Sequence, residues 1–319
     1  MDLLKKLTAI YAPSGHEGAM REFLKTYLSP YVDEISTDVL GNLICHKKGN
    51  GKKIMLAAHM DEIGVIVTNV CENGFLRFAP VGGVHAANCI NRAVVFENGV
   101  RGVISHENKE KPDCPLGKMY IDIGTQEGIE IGDCAVFEGE YFDMGNRVAA
   151  KALDDRAGCC ALVSALAEAE RTQNDIYAVF TSQEELGLRG AKCAAASIEP
   201  DMGIAVDVSF DESTPESAHY SLSLGKGAGI KLCDASFIMP MSVRDFLVSC
   251  AKGAGTDFQF EAAQYGGTDS GAISLSASGV PSGTISIPTR YIHSPREVCD
   301  KRDIKSAAQI IRAVIETKL

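Results

Sequence analysis

Tryptophan and long apolar runs are both missing from this chain. Its 319 residues include no tryptophan, and aromatic residues make up only 7% of them. No window approaches about 18 uninterrupted apolar residues, the length that a membrane-spanning helix needs. Met1 leads directly into DLLKKLTAIY, without the charged start, apolar stretch and cleavage site of a signal peptide. The sequence therefore predicts neither a membrane span nor a secretory leader.

Paired cysteine motifs are also missing. The chain has 11 cysteines but no CxxC pair. An odd number of cysteines without framework spacing indicates reduced thiols in a reducing compartment, so we expect a cytoplasmic location. No cysteine stands in a recognisable activating motif, which disfavours a cysteine nucleophile.

The chain lacks an excess of positive charge. It has 31 Lys and Arg against 42 Asp and Glu, a formal net charge of −11. A nucleic-acid surface needs a basic patch, and the sequence shows none, so no nucleic-acid partner is expected. The length exceeds what one hydrophobic core usually supports, which predicts two domains.

Helix and strand patterns alternate along most of the chain. The apolar run at 52–60 is typical of a strand buried on both faces. From about residue 67 to 147 helical periodicity gives way to short, glycine-punctuated strand patterns. We therefore predict an α/β fold in which residues 1–66 and 148–319 form a mixed-sheet domain with helices on both faces. Residues 67–147 would form a small all-β, barrel-like insert.

Five peptides from distant parts of the sequence each place a metal-ligating side chain at a predicted strand end or in the following loop. They are AAHMDEIG around His59, KALDDRAG around Asp154, TSQEELG around Glu184 and Glu185, AVDVS around Asp207, and RYIHSP around His293. Zinc accepts imidazole nitrogen and carboxylate oxygen, and a carboxylate can bridge two divalent ions. Paired metals about 3.5–4 Å apart activate a water between them. This ligand set predicts a metal-dependent hydrolase.

Two of the peptides suggest supporting roles beside the ligands. In an extended segment Asp61 lies on the same side as His59, where it can accept the ring N–H and strengthen His59 as a ligand. In ALDDRAG one aspartate can cap a helix while the other, Asp154, binds metal. The alternatives are a polar strand end at the surface and helix capping alone.

The adjacent glutamates suggest a division of labour. Glu185 can bind a metal while Glu184 takes a proton from the bound water; a solvated loop is the alternative. Asp207 interrupts an apolar strand, where an unpaired carboxylate is costly, so it needs a partner. GGTDSG at 266–271 lacks a phosphate-binding context and is interpreted as a loop of the substrate site. Five histidines in weaker contexts receive no catalytic role: His16, His46, His85, His106 and His219.

Together these residues resemble the tetrahedral (TET) aminopeptidases, a family of metallopeptidases that includes glutamyl aminopeptidases and proteins often labelled cellulase M or endoglucanase. The matching motifs span nearly the whole chain: APSGHEG at 12–18, DVLGNL at 38–43, AAHMDEIG at 57–64, PVGG at 80–83, YIDIG at 120–124, ALDDRAG, SQEELGLRGA, GGTD and RYIHSPREV. Each motif is weak alone, but the combination is specific.

The resemblance implies a catalytic metallopeptidase domain with two divalent ions per subunit, zinc or cobalt in the first place and manganese as an alternative. It also implies that the insert is a dimerisation domain, with dimers assembled into a dodecamer. The implied metal ligands are His59 and Asp207 at one ion, Glu185 and His293 at the other, and Asp154 between them.

The resemblance further implies that Glu184 is the general base and then the general acid, and that Asp61 orients His59. The peptide bond between Asp154 and Asp155 would be cis. The implied substrates are short peptides, from which N-terminal residues are removed, although the sequence does not identify the preferred side chain.

Other functions remain as alternatives. A glycoside hydrolase works with two carboxylates roughly 5–10 Å apart and needs no metal, which leaves His59 and His293 without a role. Sugar sites are usually lined by aromatic residues, whereas this chain has no tryptophan. Structural zinc sites favour cysteine ligands, which these peptides do not offer. Another metal-dependent amidohydrolase or deacylase would use the same ligands.

Overall fold

The computed structural model describes residues 1–107, 114–211, 213–215 and 221–319. Residues 108–113, 212 and 216–220 lie outside this description, and His219, for which no role is predicted, is among them. All 11 cysteines fall within the described ranges, and all are free thiols, as predicted.

Seven α-helices are present in the described ranges. They are α1 Asp2–Ala9, α2 Gly18–Leu28, α3 Leu153–Glu168, α4 Arg189–Ile198, α5 Met241–Gly253, α6 Asp269–Ser274 and α7 Lys301–Glu316. Sequence patterns predict a helix in the region of each of them except α6, which has only 6 residues. Within these ranges no helix has the length and apolar character that crossing a membrane requires.

Seventeen β-strands are present in the same ranges. They are β1 Glu34–Thr37, β2 Leu43–Lys47, β3 Lys53–His59, β4 Gly64–Val70, β5 Phe75–Val81, β6 Ala93–Phe96, β7 Arg101–His106, β8 Met119–Asp122, β9 Cys134–Phe137, β10 Phe142–Met144, β11 Arg147–Ala150, β12 Asp175–Thr181, β13 Met202–Phe210, β14 Ala228–Cys233, β15 Phe258–Ala262, β16 Ser282–Arg290 and β17 Glu297–Asp300.

Eleven strands form one mixed sheet. The main path is β1-β2-β12-β3-β13-β16-β17-β11-β10, and β14 joins through β16 and pairs with β15. Strands β12, β3, β13 and β16 are parallel to one another. Successive residues of β3 face opposite sides of the sheet: Leu56 packs into a core with α3 and α7, whereas Met55 packs with α4 and α6 residues. The predicted mixed sheet with helices on both faces is confirmed.

The remaining six strands close into a separate antiparallel barrel in the order β4-β5-β8-β7-β6-β9. This barrel has its own hydrophobic core, which includes Val65, Ile104 and Phe137. The predicted all-β, barrel-like insert is therefore confirmed as an architecture. Strand β10 lies within the predicted range 67–147 but pairs with β11 in the large sheet. The division at residues 67 and 147 stays a prediction.

The parallel strands determine where functional side chains can meet. Strand β3 ends at His59, β12 ends two residues before Gln183, and β16 ends shortly before His293. Carboxyl ends of parallel strands lie at one edge of a sheet, which is where open α/β sheets bind ligands. The sheet therefore brings together peptides that are far apart in sequence.

Candidate metal centre

The five predicted peptides converge at the carboxyl edge of the parallel strands. We call the following six residues, all of which line one cleft, the metal centre: His59 at the end of β3, Asp154 in the first turn of α3, Glu184 and Glu185 after β12, Asp207 in β13, and His293 after β16.

The candidate ligand atoms form two groups. In the first, Nε2 of His59 lies 2.9 Å from Oδ1 of Asp154 and 3.8 Å from Oδ1 of Asp207. In the second, Nε2 of His293 lies 3.2 Å from Oδ2 of Asp154 and 3.2 Å from Oε2 of Glu185. Within each group the candidate ligand atoms all lie within 4.8 Å of one another.

Asp154 belongs to both groups. Its Oδ1 faces His59 and its Oδ2 faces His293, so each carboxylate oxygen serves one group. This is the arrangement that a carboxylate bridging two cations needs. Asp154 and Asp155 both have non-helical torsions at the start of α3, and the peptide bond between them is cis, as the resemblance implies.

Glu297 in β17 holds two of these residues through their backbone. Its Oε2 accepts a 2.9 Å hydrogen bond from the amide of Asp154, and its Oε1 accepts one of 2.9 Å from the amide of His293. The side chain is 1% exposed, so solvent does not compete for these bonds. One buried carboxylate therefore sets the relative position of a residue from each group.

Asp61 connects His59 to the glutamate loop. Its carboxylate accepts the amide N–H of Glu184 at 3.0 Å and of Glu185 at 3.2 Å, and the hydroxyl of Ser14 donates to it at 2.6 Å. Nδ1 of His59 lies 3.4 Å from the Asp61 carboxylate and 3.1 Å from its backbone carbonyl oxygen. The hydrogen bond of the His59 ring is to the backbone carbonyl of Asp61, with the carboxylate close beside it, and the carboxylate also positions both glutamates.

Glu184 is a buried carboxyl group with an altered affinity for protons. Burial raises its pKa well above the ordinary value, and the negative charges of Asp207, Asp269 and Glu185 raise it further. A raised pKa strengthens the hold of the carboxyl group on a proton, which is a property of general acids and bases.

The charges of the centre fit divalent cations. Burial raises the pKa of Asp207 to about 8. Burial alone would lower the pKa of His293, but its hydrogen bonds to Asp154 and Glu185 raise it to about 12. The carboxylates therefore favour positive charge between them, which metal ions would supply while leaving the imidazoles neutral. Among the described residues, the buried Oε1 of Glu185 has no hydrogen-bond partner, which leaves it free to ligate.

The cleft over the centre has a volume of ≈ 360 Å³, within the range of about 300–1,000 Å³ that is usual for small-ligand sites. Gly266, Gly267 and Thr268 of the GGTDSG motif line it, whereas the last three residues of the motif begin α6. The role of this segment in the substrate site stays a prediction. A separate cavity of ≈ 470 Å³ beside Tyr11 contains none of the metal-centre residues.

The barrel forms one wall of the centre. A Cβ atom on Gly83, in the loop after β5, would lie 2.3 Å from Nδ1 of His293, so only glycine allows this close approach. The side chain of Asn88 donates a 3.0 Å hydrogen bond to the carbonyl oxygen of His293. The barrel therefore supports a candidate ligand in addition to any role in self-association.

Sequence reasoning missed three positioning residues. Ser14, Asn88 and Glu297 act through hydrogen bonds to other segments, and both carboxylate oxygens of Glu297 accept backbone amides. Ser14 and Glu297 lie within the motifs APSGHEG and RYIHSPREV, which was the available signal. Of the histidines without a predicted role, His46 bonds Asp175 at 2.7 Å and His16 lines the separate cavity, away from the metal centre.

Comparison with known sequences identifies similar proteins along the whole chain. The profile of a family described as M42 glutamyl aminopeptidase matches residues 41–310. A provisionally named aminopeptidase of Acetivibrio thermocellus is 49% identical, over 97% of this chain and 96% of that protein. The lysyl aminopeptidase of Pyrococcus furiosus is 32% identical, over 99% and 96%. The glutamyl aminopeptidase of Lactococcus lactis subsp. cremoris is 31% identical, over 98% and 95%.

Several solved structures are also similar to this chain over nearly its whole length. Aminopeptidase APDkam598 of Desulfurococcus kamchatkensis has a TM-score of 0.95 at 39% identity, covering 99% of this chain and 94% of that one. The TET1 peptidase of Pyrococcus horikoshii, which can assemble into a tetrahedron or a large octahedral shell, scores 0.88 at 30% identity, with 98% of both chains covered. An endoglucanase of Thermotoga maritima scores 0.83 at 32% identity, covering 98% and 96%.

Proposed function

The chain belongs to the M42 glutamyl aminopeptidase family and is a metal-dependent aminopeptidase, and we propose that it removes N-terminal residues from short peptides at the metal centre. The observation that carries this proposal is the Asp154 carboxylate, which is shared by two groups of candidate ligands within the cleft.

In this proposal His59 and Asp207 hold one divalent ion, Glu185 and His293 hold the other, and Asp154 holds both. The imidazole and carboxylate donors suit zinc or cobalt, and manganese also accepts them. When bound, such ions polarise a peptide carbonyl and make a water molecule more acidic.

The protein's own contribution to the chemistry is proton transfer by Glu184. Its carboxylate takes a proton from the attacking water and returns that proton to the departing amine, without which the tetrahedral intermediate reverts to substrate. In this proposal Glu185 does not transfer the proton, because its carboxylate is bound to a metal ion. Asp61 holds the amides of both glutamates and therefore keeps the base at a constant place beside the cleft.

The assembly and the location of the enzyme are further parts of the proposal. We propose that the barrel insert, taken as residues 67–147 of the chain, mediates dimerisation, and that dimers build a dodecamer in the cytoplasm. PhTET1-12s, a dodecamer, is similar to this chain with a TM-score of 0.89 at 31% identity, over 98% of both chains. Exposed apolar side chains on the barrel, including Val70, Val103 and Ile131, would gain cover from a partner.

Metal removal separates the proposed function from its alternatives. We expect chelated protein to lose hydrolysis of aminoacyl p-nitroanilides and to recover it when zinc or cobalt is added back, since the ligands need the ion. Cellulose should remain intact in every sample, because the glycosidase mechanism leaves both histidines without a role. Metal-independent release of sugar would support the endoglucanase reading, and hydrolysis of N-acyl compounds alone would support a deacylase.

Glu184→Gln should lower kcat at least about 100-fold, because it keeps the shape of the side chain but removes the proton acceptor. Metal content by elemental analysis should equal that of the unchanged protein. Glu168→Gln, at an exposed position near the end of α3, is the matched control and should keep full activity. Near-normal turnover of Glu184→Gln, or an activity loss that follows metal loss, would mean that the roles of the two glutamates are wrongly assigned.

Asp154→Ala should lose both ions, since its carboxylate contributes an oxygen to each group, whereas Asp207→Ala should mainly weaken one. Elemental analysis of the purified variants measures this directly. Asp154→Asn preserves the packing at the start of α3 and is therefore the control for general misfolding. Two ions retained in both Asp154 variants would rule out the bridging assignment.

Self-association should be visible by multi-angle light scattering at micromolar concentration. We expect at least a dimer, with a twelve-subunit species as the proposed assembly. Burial of the exposed apolar surface of the barrel in an interface would stabilise the associated state. A monomer under these conditions would contradict the dimerisation role of the insert.

A further inference from the structure

Lys231 is an unusual residue in the wall of the cleft. It lies in β14, is only 4% exposed, and lines the cleft with the metal centre. Apart from the six metal-centre residues, it is the one charged side chain among the described residues of the lining. We infer that Lys231 determines specificity by binding a carboxylate of the peptide substrate, an inference that rests on the proposed function.

Within the described ranges the ammonium group of Lys231 makes no hydrogen bond, so its N–H groups face no acceptor there. Its nearest acidic partner is Glu261, but Nζ lies 3.6 Å from Oε1 of Glu261, beyond hydrogen-bond distance. Both oxygens of Glu261 already accept hydroxyl hydrogens, Oε1 from Ser209 and Oε2 from Ser286 at 2.5 Å. The negative charge of Glu261 therefore compensates the buried positive charge of Lys231, although Glu261 accepts no hydrogen bond from the ammonium group.

Two hydroxyl groups of this wall are engaged elsewhere, whereas the exposed phenol of Tyr265 also lines the cleft. The hydroxyl of Ser209 donates to Glu261, and the hydroxyl of Thr268 is bonded to that of Thr284 at 2.9 Å. The remaining lining includes apolar side chains such as Phe210 and Ile292. A ligand in this part of the cleft thus meets apolar surface, the phenol of Tyr265 and one cation.

This combination suits a group with a short apolar stem and a terminal carboxylate. A glutamate side chain would pack its methylenes on the apolar wall. Its carboxylate would accept charge-assisted hydrogen bonds from the ammonium group of Lys231. A lysine side chain would bring a second cation against the ammonium, which is unfavourable in a partly desolvated cleft. A substrate with a neutral amide in place of the carboxylate would bind without the attraction between opposite charges.

Similarity to other proteins does not decide this preference. The lysyl aminopeptidase of P. furiosus and the glutamyl aminopeptidase of L. lactis are 32% and 31% identical to this chain, although their named substrates carry opposite charges. Particular residues of the cleft wall must therefore carry the preference, and Lys231 has the chemistry to do so.

A substrate carboxylate can come from two places: the side chain of an acidic N-terminal residue, or the C-terminus of a dipeptide. Two matched substrate pairs distinguish them. Glutamyl and glutaminyl p-nitroanilide differ only in the side-chain charge. Leucyl-alanine and leucyl-alanine amide differ only in the charge at the C-terminus.

The test compares kcat/KM ratios within each pair for metal-loaded Lys231→Met. We expect unchanged protein to prefer the charged member of one pair, and the variant to lower that preference at least about tenfold, the effect of one hydrogen bond between charged groups. Lys231→Arg keeps the cation and should retain part of the preference. Lys226→Met removes an exposed lysine just before β14 and should leave both ratios unchanged.

Loss of folding is controlled by Lys231→Met combined with Glu261→Gln, which leaves no uncompensated buried carboxylate. The pair whose ratio falls identifies the source of the carboxylate. Ratios that stay unchanged in both folded Lys231 variants, or an unchanged protein without preference in either pair, overturn the inference. Absence of hydrolysis of all four substrates by unchanged, metal-loaded protein would instead contradict the proposed function.

Discussion

The concentration of buried negative charge at one sheet edge is the constraint on which the site depends. Asp154, Glu184, Glu185 and Asp207 are withdrawn from water within a single cleft, where like charges repel strongly and desolvation adds to the cost. Such a cluster is stabilised when positive charge lies among the carboxylates or when some of them bind a proton, as the raised pKa values of Asp207 and Glu184 indicate. The imidazole of His293, bonded to Asp154 and Glu185, shows where that charge is favoured.

Two further buried carboxylates fix the positions of the metal-centre residues through backbone hydrogen bonds. Asp61 and Glu297 bind backbone amides rather than cations, and each ties together segments that the chain separates widely. Because Glu297 holds both Asp154 and His293, a change at one candidate ligand is transmitted to the other. Effects of substitutions within this network should therefore be strongly non-additive, as is usual for residues that share partners.

The sequence predicts the parts of this site whose signal is local. The apolar run before His59 and the aspartate within β13 both indicate buried strands that must deliver a polar group to a partner. Long-range geometry is not encoded in such patterns: the opposite directions of the Asp154 oxygens and the amide bonds of Glu297 follow from tertiary contacts. Strand β14 was missed because the charged Lys231 interrupts a short apolar segment, and β10 because its pairing with β11 is settled by the large sheet.

Lys231 lies on a different strand from the residues of the metal centre. The metal centre depends on β3, β12, β13 and β16, the parallel core whose register also sets the packing of both sheet faces. Lys231 lies on β14, which leaves the main path and contacts that core through β16. A substitution on β14 can alter the charge of the cleft wall while the core strands, and thus the ligands, keep their positions.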